Sequence, residues 1–153
     1  YKNFDLNVFF RFSGGNKIMN ASRQSALFNM DFSNNGTEIL GRWVSPEQPG
    51  DGMTPKIGYG DASSLFNDGY TDSHFVESGN YLKLSTLALG YTLPKAVVSK
   101  LNMTKIRFYV QGQNLLTITG YSGLDPETNS RLGVDWNGMP QQRSFTFGAN
   151  ITF

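Results

Sequence analysis

The chain has no cysteine, one histidine, few charges and no long apolar run, and each shortage removes a class of function. Without cysteine there is no disulfide framework, no thiolate metal site and no cysteine nucleophile. His74, the lone histidine, has no Ser-His-Asp order and no metal-ligand constellation around it in sequence, so it reads as an ordinary loop residue. Charged residues make up 16% of the chain, against roughly 25% in an average soluble domain. The net charge is +1 and the basic residues are scattered, so there is no electrostatic case for nucleic acid. No stretch approaches the ~20 apolar residues of a membrane-spanning helix. Gly14-Gly15 and Gly50–Gly52 mark turns, with no helix after them to cradle a phosphate. Nothing here reads as an enzyme: no nucleophile–base pair or paired-carboxylate constellation stands out.

What is present is aromatic and small-polar. Aromatic residues are 14% of the chain, led by 12 Phe, alongside 17 Gly and many Asn, Ser and Thr. That mixture suits strands with one face in lipid and the other in a polar lumen; it also suits some extracellular β-sandwiches.

Four segments alternate with the two-residue period of a strand. Over Lys2–Phe12, Phe4, Leu6, Val8, Phe10 and Phe12 share one face, and Asp5, Asn7, Phe9 and Arg11 the other. Over Thr104–Leu116, Ile106, Phe108 and Val110 alternate with Lys105, Arg107, Tyr109, Gln111 and Gln113. Over Arg143–Phe153, Phe145, Phe147, Ala149, Ile151 and Phe153 alternate with small polar residues. In Asn80–Thr92 the parity breaks: Leu82 and Leu84 oppose Leu87, Leu89 and Tyr91. One extra residue near Ser85 or Thr86 would return both sets to one face, so a β-bulge is expected there, the alternative being a strand buried on both sides. Each segment is long enough for the ~9–11 residues of a tilted membrane strand.

The links are unequal. Residues 13–79 and 120–142 are long and rich in Gly, Asn, Ser and Pro, and read as outer loops. Residues 93–103 are short, open with Pro94, and read as a periplasmic turn with a turn of helix over Ala96–Leu101. Short periplasmic turns and long outer loops are the habit of outer-membrane barrels.

Four stretches resemble the C-terminal part of SusC-like (SusC/RagA) TonB-dependent outer-membrane transporters: YKNFDLNVFFRFSGGNKIMN at Tyr1–Asn20, GNYLKLSTLALGYTLP at Gly79–Pro94, IRFYVQGQNLLTITGYSGLDP at Ile106–Pro126, and QRSFTFGANITF at Gln142–Phe153. The resemblance implies an all-β fold, an antiparallel meander forming one segment of a barrel of about 22 strands closed by an N-terminal plug. It implies a multi-pass protein of a Gram-negative outer membrane, in contact with lipid. It also implies import of glycans or peptides, powered by TonB through an N-terminal part, with a SusD-like surface lipoprotein as lid. The plug and any leader would lie upstream of Tyr1. Arg11, Lys105, Arg107, Gln111 and Gln113 would face the lumen or the plug. Phe153 would serve the barrel-assembly machinery.

In the outer loops the candidate contacts for a ligand or partner are Arg42, Trp43, Tyr121, Asp125, Asp135 and Trp136. The tryptophans would stack on sugars, pack the loops or grip a partner protein, and the last two weigh more. Tyr81, Tyr91 and Tyr121 suit an interfacial girdle, and Tyr109 suits packing against a plug. Asp125, Glu127, Asp135, Asp61 and Asp68 lack calcium-loop spacing and read better as Asx turns. No cofactor and no metal are expected. The rival is a soluble or cell-surface β-sandwich that binds carbohydrate, in which Phe4, Phe10, Phe108 and Phe147 would converge in one interior.

Overall fold

The computed structural model describes residues 2–28, 34–56, 73–127 and 132–153; Asp61 and Asp68 lie outside them. Among these are strands β1 (Phe4–Ser13), β2 (Lys17–Asn20), β3 (Val76–Ser78), β4 (Tyr81–Thr92), β5 (Lys105–Thr119), β6 (Val134–Asp135) and β7 (Ser144–Thr152), and helices α1 (Ala21–Phe28) and α2 (Lys95–Val98). The chain divides into two units, one made of Tyr1–Asn16, Gly79–Gly120 and Pro140–Phe153, the other of Lys17–Ser78 and Tyr121–Met139.

The first unit is a four-stranded sheet in the order β1-β4-β5-β7, antiparallel throughout. Its register assembles the apolar residues of all four strands into rows. Phe4, Tyr91, Phe108 and Ala149 stand in line, as do Leu6, Leu89, Val110 and Phe147, then Val8, Leu87, Gly112 and Phe145. Phe10, Leu84 and Leu116 form the next row, and Phe12, Leu82 and Ile118 the last. Cross-strand aromatic and branched pairs of this kind are the unit of sheet stability.

The rows stay aligned because of one irregularity. Phe9 pairs with Thr86 while Phe10 pairs with Leu84, which leaves Ser85 as an extra residue on β4. The break between Leu84 and Thr86 recurs against β5, where Asn114 and Leu115 are unpaired and Asn114 takes a left-handed φ of 52°. The expected bulge is therefore present, and it brings Leu82 and Leu84 onto the face of Leu87 and Leu89. Two sets of opposite parity become one.

This apolar face is not a core. Phe4, Phe10, Phe108 and Phe147 are 54%, 54%, 50% and 79% exposed, so they do not converge in an interior of this unit's making. The buried apolar residues here are Val98 and Ile106, where α2 lies against β5. The helix starts after Pro94, one residue earlier than expected, continues as a 3-10 turn over Ser99–Leu101, and ends at Asn102 with φ 55°. Among the described residues no further strand pairs with the outer edge of β1 or β7. No described helix is long and apolar enough to cross a membrane, which has no bearing on strands.

The second unit, drawn from the stretches 13–79 and 120–142 that read as outer loops, has secondary structure of its own. Strands β3, β2 and β6 form a sheet with β2 central, antiparallel to β3 and parallel to β6. Around it Ile18, Ala21, Leu27, Phe75 and Tyr121 are buried, a small core of the unit's own. Strands of 4, 3 and 2 residues are too short to show a period, and this is why they read as loop.

Candidate functional site

The second unit contains a cleft of about 610 Å³, formed by Asn20 and α1, Ser122–Leu124, Asp135–Asn137 and Glu38. Its walls are tied together through Asn20, which is 2% exposed at the end of β2. The Asn20 Oδ1 accepts the backbone N–H of Arg23 at 2.9 Å and caps α1. Its amide donates to Glu77 Oε1 and to Ser122 Oγ, both at 3.1 Å. Glu77 also accepts the Ser122 backbone N–H at 2.8 Å and its hydroxyl at 2.7 Å. One asparagine thus joins the helix, β3 and the 121–139 segment.

Arg23 closes the floor. Its Nε donates to Glu38 Oε2 at 2.9 Å and its Nη2 to Glu38 Oε1, a two-pronged pair. Its Nη1 lies 3.6 Å from Glu77 Oε1 and donates to the His74 carbonyl at 3.3 Å. The Arg23 hydrogen bonds hold the Glu38 carboxyl below the usual carboxylate range, and Glu38 in turn raises the Arg23 guanidinium. His74 is thus not isolated in space: its Nε2 is 3.8 Å from Glu38, and its ring meets Phe75 edge-on at 4.9 Å. Among the described residues there is no cluster of His, Asp and Glu that could hold a metal ion.

The expected loop contacts divide. Tyr121, Asp125 and Asp135 are 6%, 5% and 3% exposed, so they lie buried within the unit. The Tyr121 hydroxyl donates to Asp135 Oδ2 at 2.6 Å, and burial followed by this bond pushes the phenol above its ordinary range. Asp135 Oδ1 accepts the backbone N–H groups of Asn137 at 3.0 Å and Gly138 at 3.3 Å. Asp125 Oδ1 accepts the Glu127 N–H at 3.0 Å, the Asx geometry that the adjacent Pro126 suggests. Trp136, between the clamped Asp135 and the left-handed Asn137, is turned outward and 73% exposed. Arg42 and Trp43 lie elsewhere in the unit: Arg42 Nη1 donates to the Ile39 carbonyl at 3.2 Å, and the Lys56 ammonium sits 5.7 Å above the Trp43 ring centroid. Asn20, Arg23, Glu38 and Glu77 were not expected as site residues. Only Asn20 and Ser122, inside the stretches Tyr1–Asn20 and Ile106–Pro126, carried any signal.

In the sheet, Arg11, Lys105, Arg107, Gln111 and Gln113 share the polar face. There Arg107 on β5 reaches across β4 to Asp5 on β1, Nε to Oδ1 at 2.9 Å and Nη2 to Oδ2 at 2.5 Å. Gly90 makes this reach possible, since a Cβ there would lie 2.3 Å from the guanidinium. The same guanidinium stands 5.3 Å from the Tyr109 ring centroid, and that ring covers Gly148, where a Cβ would meet it at 2.4 Å. Asp5, Gly90, Tyr109 and Gly148 are register partners, so one polar brace crosses all four strands. Gln113 accepts the Ser144 hydroxyl at 3.4 Å, Arg11 and Lys105 are exposed, and Lys83 beside Arg11 is buried.

A long-stranded antiparallel sheet with outward apolar rows and a braced polar face is the architecture of an outer-membrane barrel wall. Over its whole length the chain is similar to SusC-like TonB-dependent receptors. It is 32% identical to TonB-dependent receptor P3 of Formosa agariphila and 27% identical to TonB-dependent receptor SusC of Bacteroides thetaiotaomicron, with 100% of the chain covered in each case. The chain spans 15% and 14% of those two relatives. Among solved structures, the RagAB peptide importer in its closed-closed state superimposes with a TM-score of 0.82 at 26% identity, covering 100% of this chain and 16% of that one. No family model matches the chain. The relatives carry receptor and importer names, none of them an enzyme's.

Proposed function

We propose that the chain is a wall and outer-loop segment of a TonB-dependent outer-membrane transporter that imports an oligomeric nutrient, glycan or peptide. The observation that carries this reading is the set of five apolar rows left exposed on one face of the four-stranded sheet. Such a face needs lipid, and the outer edges of β1 and β7 need further strands, because bare backbone groups are not tolerated in a bilayer. Those strands would complete a barrel of about 22, with a plug in its lumen. The polar face, with Arg107 and Tyr109 braced across it, would look onto the lumen and plug. Residues 93–103 would turn on the periplasmic side, the second unit would stand outside the cell, and Phe153 would be read during barrel assembly. A SusD-like lipoprotein over the outer unit and TonB on the periplasmic side complete the expected partners.

The test is made on the whole protein in its own host. It should fractionate with the outer membrane and run as a heat-modifiable band, and removal of Phe153 should lower its level there without changing ligand affinity in the molecules that assemble. Recovery in the soluble fraction would sink the reading and favour a carbohydrate-binding sandwich.

A further inference from the structure

We infer that Asn137–Gly138 is a site of self-modification: the asparagine cyclises onto the next amide nitrogen and converts to aspartate and isoaspartate, held in check by the Asp135 carboxylate. This is covalent chemistry within the second unit and stands apart from the transporter reading.

The reaction is intramolecular and needs only water besides. The Gly138 nitrogen gives up its proton and attacks Cγ of Asn137. The new N–Cγ bond closes a succinimide ring as the Cγ–Nδ2 bond breaks, and Nδ2 leaves as ammonia with the proton. Water then opens the ring at either carbonyl, leaving aspartate or isoaspartate. Glycine after the asparagine helps, because it has no Cβ to crowd the attacking nitrogen.

Among the described residues three pairs place glycine after asparagine or aspartate: Asn35–Gly36, Asp51–Gly52 and Asn137–Gly138. Their surroundings separate them. The Gly36 nitrogen donates to the Ala26 carbonyl at 2.6 Å, a close main-chain bond that must break before it can attack. Asp51 accepts the Met53 N–H at 2.8 Å, the Thr54 N–H at 2.7 Å and the Thr54 hydroxyl at 2.8 Å. Those bonds hold the Asp51 carboxyl below the usual carboxylate range, and an ionised carboxylate is a poor electrophile. Asn137 has neither restraint. Its backbone is left-handed, with φ 63°, and its carboxamide has no hydrogen-bond partner among the described residues.

What restrains Asn137–Gly138 is Asp135. Its Oδ1 accepts the Asn137 N–H at 3.0 Å and the Gly138 N–H at 3.3 Å, so the nitrogen that must react holds the longer bond. The acceptor is charged, and an amide anion forming beside a carboxylate is disfavoured. The Tyr121 hydroxyl, 2.6 Å from Oδ2, keeps the carboxylate in place. Cyclisation therefore waits on opening of this turn. Once formed, isoaspartate carries its own Cβ in the main chain, which lengthens the turn and prevents it from closing as before. Either product adds a carboxylate to a cleft whose lining already sets Glu38 and Asp135 against Arg23.

The experiment warms the whole protein in detergent at neutral pH for days. Mass spectrometry of its digest then follows conversion at Asn137, Asn35 and Asp51, with fragmentation that tells isoaspartate from aspartate. In the native protein Asn137 should convert ahead of the other two. Asp135→Ala should speed conversion at Asn137 roughly tenfold. Asp135→Asn keeps an acceptor and removes the charge, and should speed it roughly threefold. Tyr121→Phe leaves the turn on Oδ1 intact and should stay near the native rate. Asn35 should convert at one rate in all four proteins. Earlier conversion at Asn35 or Asp51, or no response of Asn137 to Asp135→Ala, would overturn the inference. So would equal acceleration at Asn35 and Asn137 in that variant, since the unit would then have loosened as a whole.

Discussion

The two units bury apolar surface in opposite directions. The sheet leaves five rows of Phe, Leu, Val, Ile and Tyr largely exposed, and among its described apolar residues only Val98 and Ile106 are buried. The second unit, built from what lies between the long strands, folds inward on Ile18, Leu27, Phe75 and Tyr121. The difference teaches where each gets its stability. On the transporter reading, the sheet would depend on its surroundings, through lipid on one face and further strands at both edges. The outer unit depends on itself, through a small core and a hydrogen-bond hub. A substitution in one should register in membrane assembly, and in the other as local loosening.

The largest effect expected is on register. Deleting Ala88 from β4 would move Leu89 and Tyr91 to the polar face and should abolish assembly of the whole protein in the outer membrane. Deleting Ser85 removes the extra residue instead, leaving Leu82, Leu84, Leu87 and Leu89 in simple alternation, and should retain measurable assembly. Equal losses in heat-modifiable band intensity would mean that the bulge is not what aligns the rows.

Next comes the contrast between faces. Phe147→Arg on the outward face should cost about 2–4 kcal/mol near the bilayer midplane, and Thr146→Arg on the polar face about 1 or less. Unfolding of the membrane-reconstituted protein in urea measures both, and similar costs would remove the distinction between lipid and lumen sides.

How much of this was legible follows from period. Lys2–Phe12, Asn80–Thr92 and Arg143–Phe153 match the observed Phe4–Ser13, Tyr81–Thr92 and Ser144–Thr152 within two residues at either end, because a strand with one apolar and one polar face writes its alternation into the chain. β5 runs on to Thr119, beyond the expected Leu116, since unpaired Asn114 and Leu115 interrupt the pattern there. The outer unit left almost no trace. Its ties join residues 57, 45 and 102 positions apart, from Asn20 to Glu77, Glu77 to Ser122 and Asn20 to Ser122, and no local pattern encodes such pairs. Tyr121, Asp135 and Trp136 stood out by residue type, but which of them would be buried and which presented depended on the Asx clamp.

A smaller effect belongs to the hub. Asn20→Ala removes the cap of α1 and leaves Glu77 and Ser122 without their shared donor, a loss of about 1–3 kcal/mol by analogy with caps and buried hydrogen bonds. Hydrogen exchange should quicken across Ala21–Leu27 and Val76–Ser78, with the amides of β4 and β5 unchanged. Matching acceleration in the sheet would show that the outer unit is not independently stabilised.

The smallest effect concerns pH and separates the units once more. Glu38 is held below its ordinary value of 4.5 by the Arg23 hydrogen bonds. A carboxylate lowered in the folded state favours folding while it is ionised in both states, so its contribution is fully present above its unfolded value. That contribution fades as pH falls from there through the lowered folded value. Its size is limited, because the Glu38 side chain is 35% exposed and solvent screens the pair. Between about pH 5 and pH 3, exchange in α1, corrected for intrinsic rates, should therefore quicken slightly in the native protein and stay level in Glu38→Gln, which has no such carboxylate to protonate. If both proteins loosen alike, the Arg23–Glu38 pair does not hold the cleft floor in acid, and another group answers for the change.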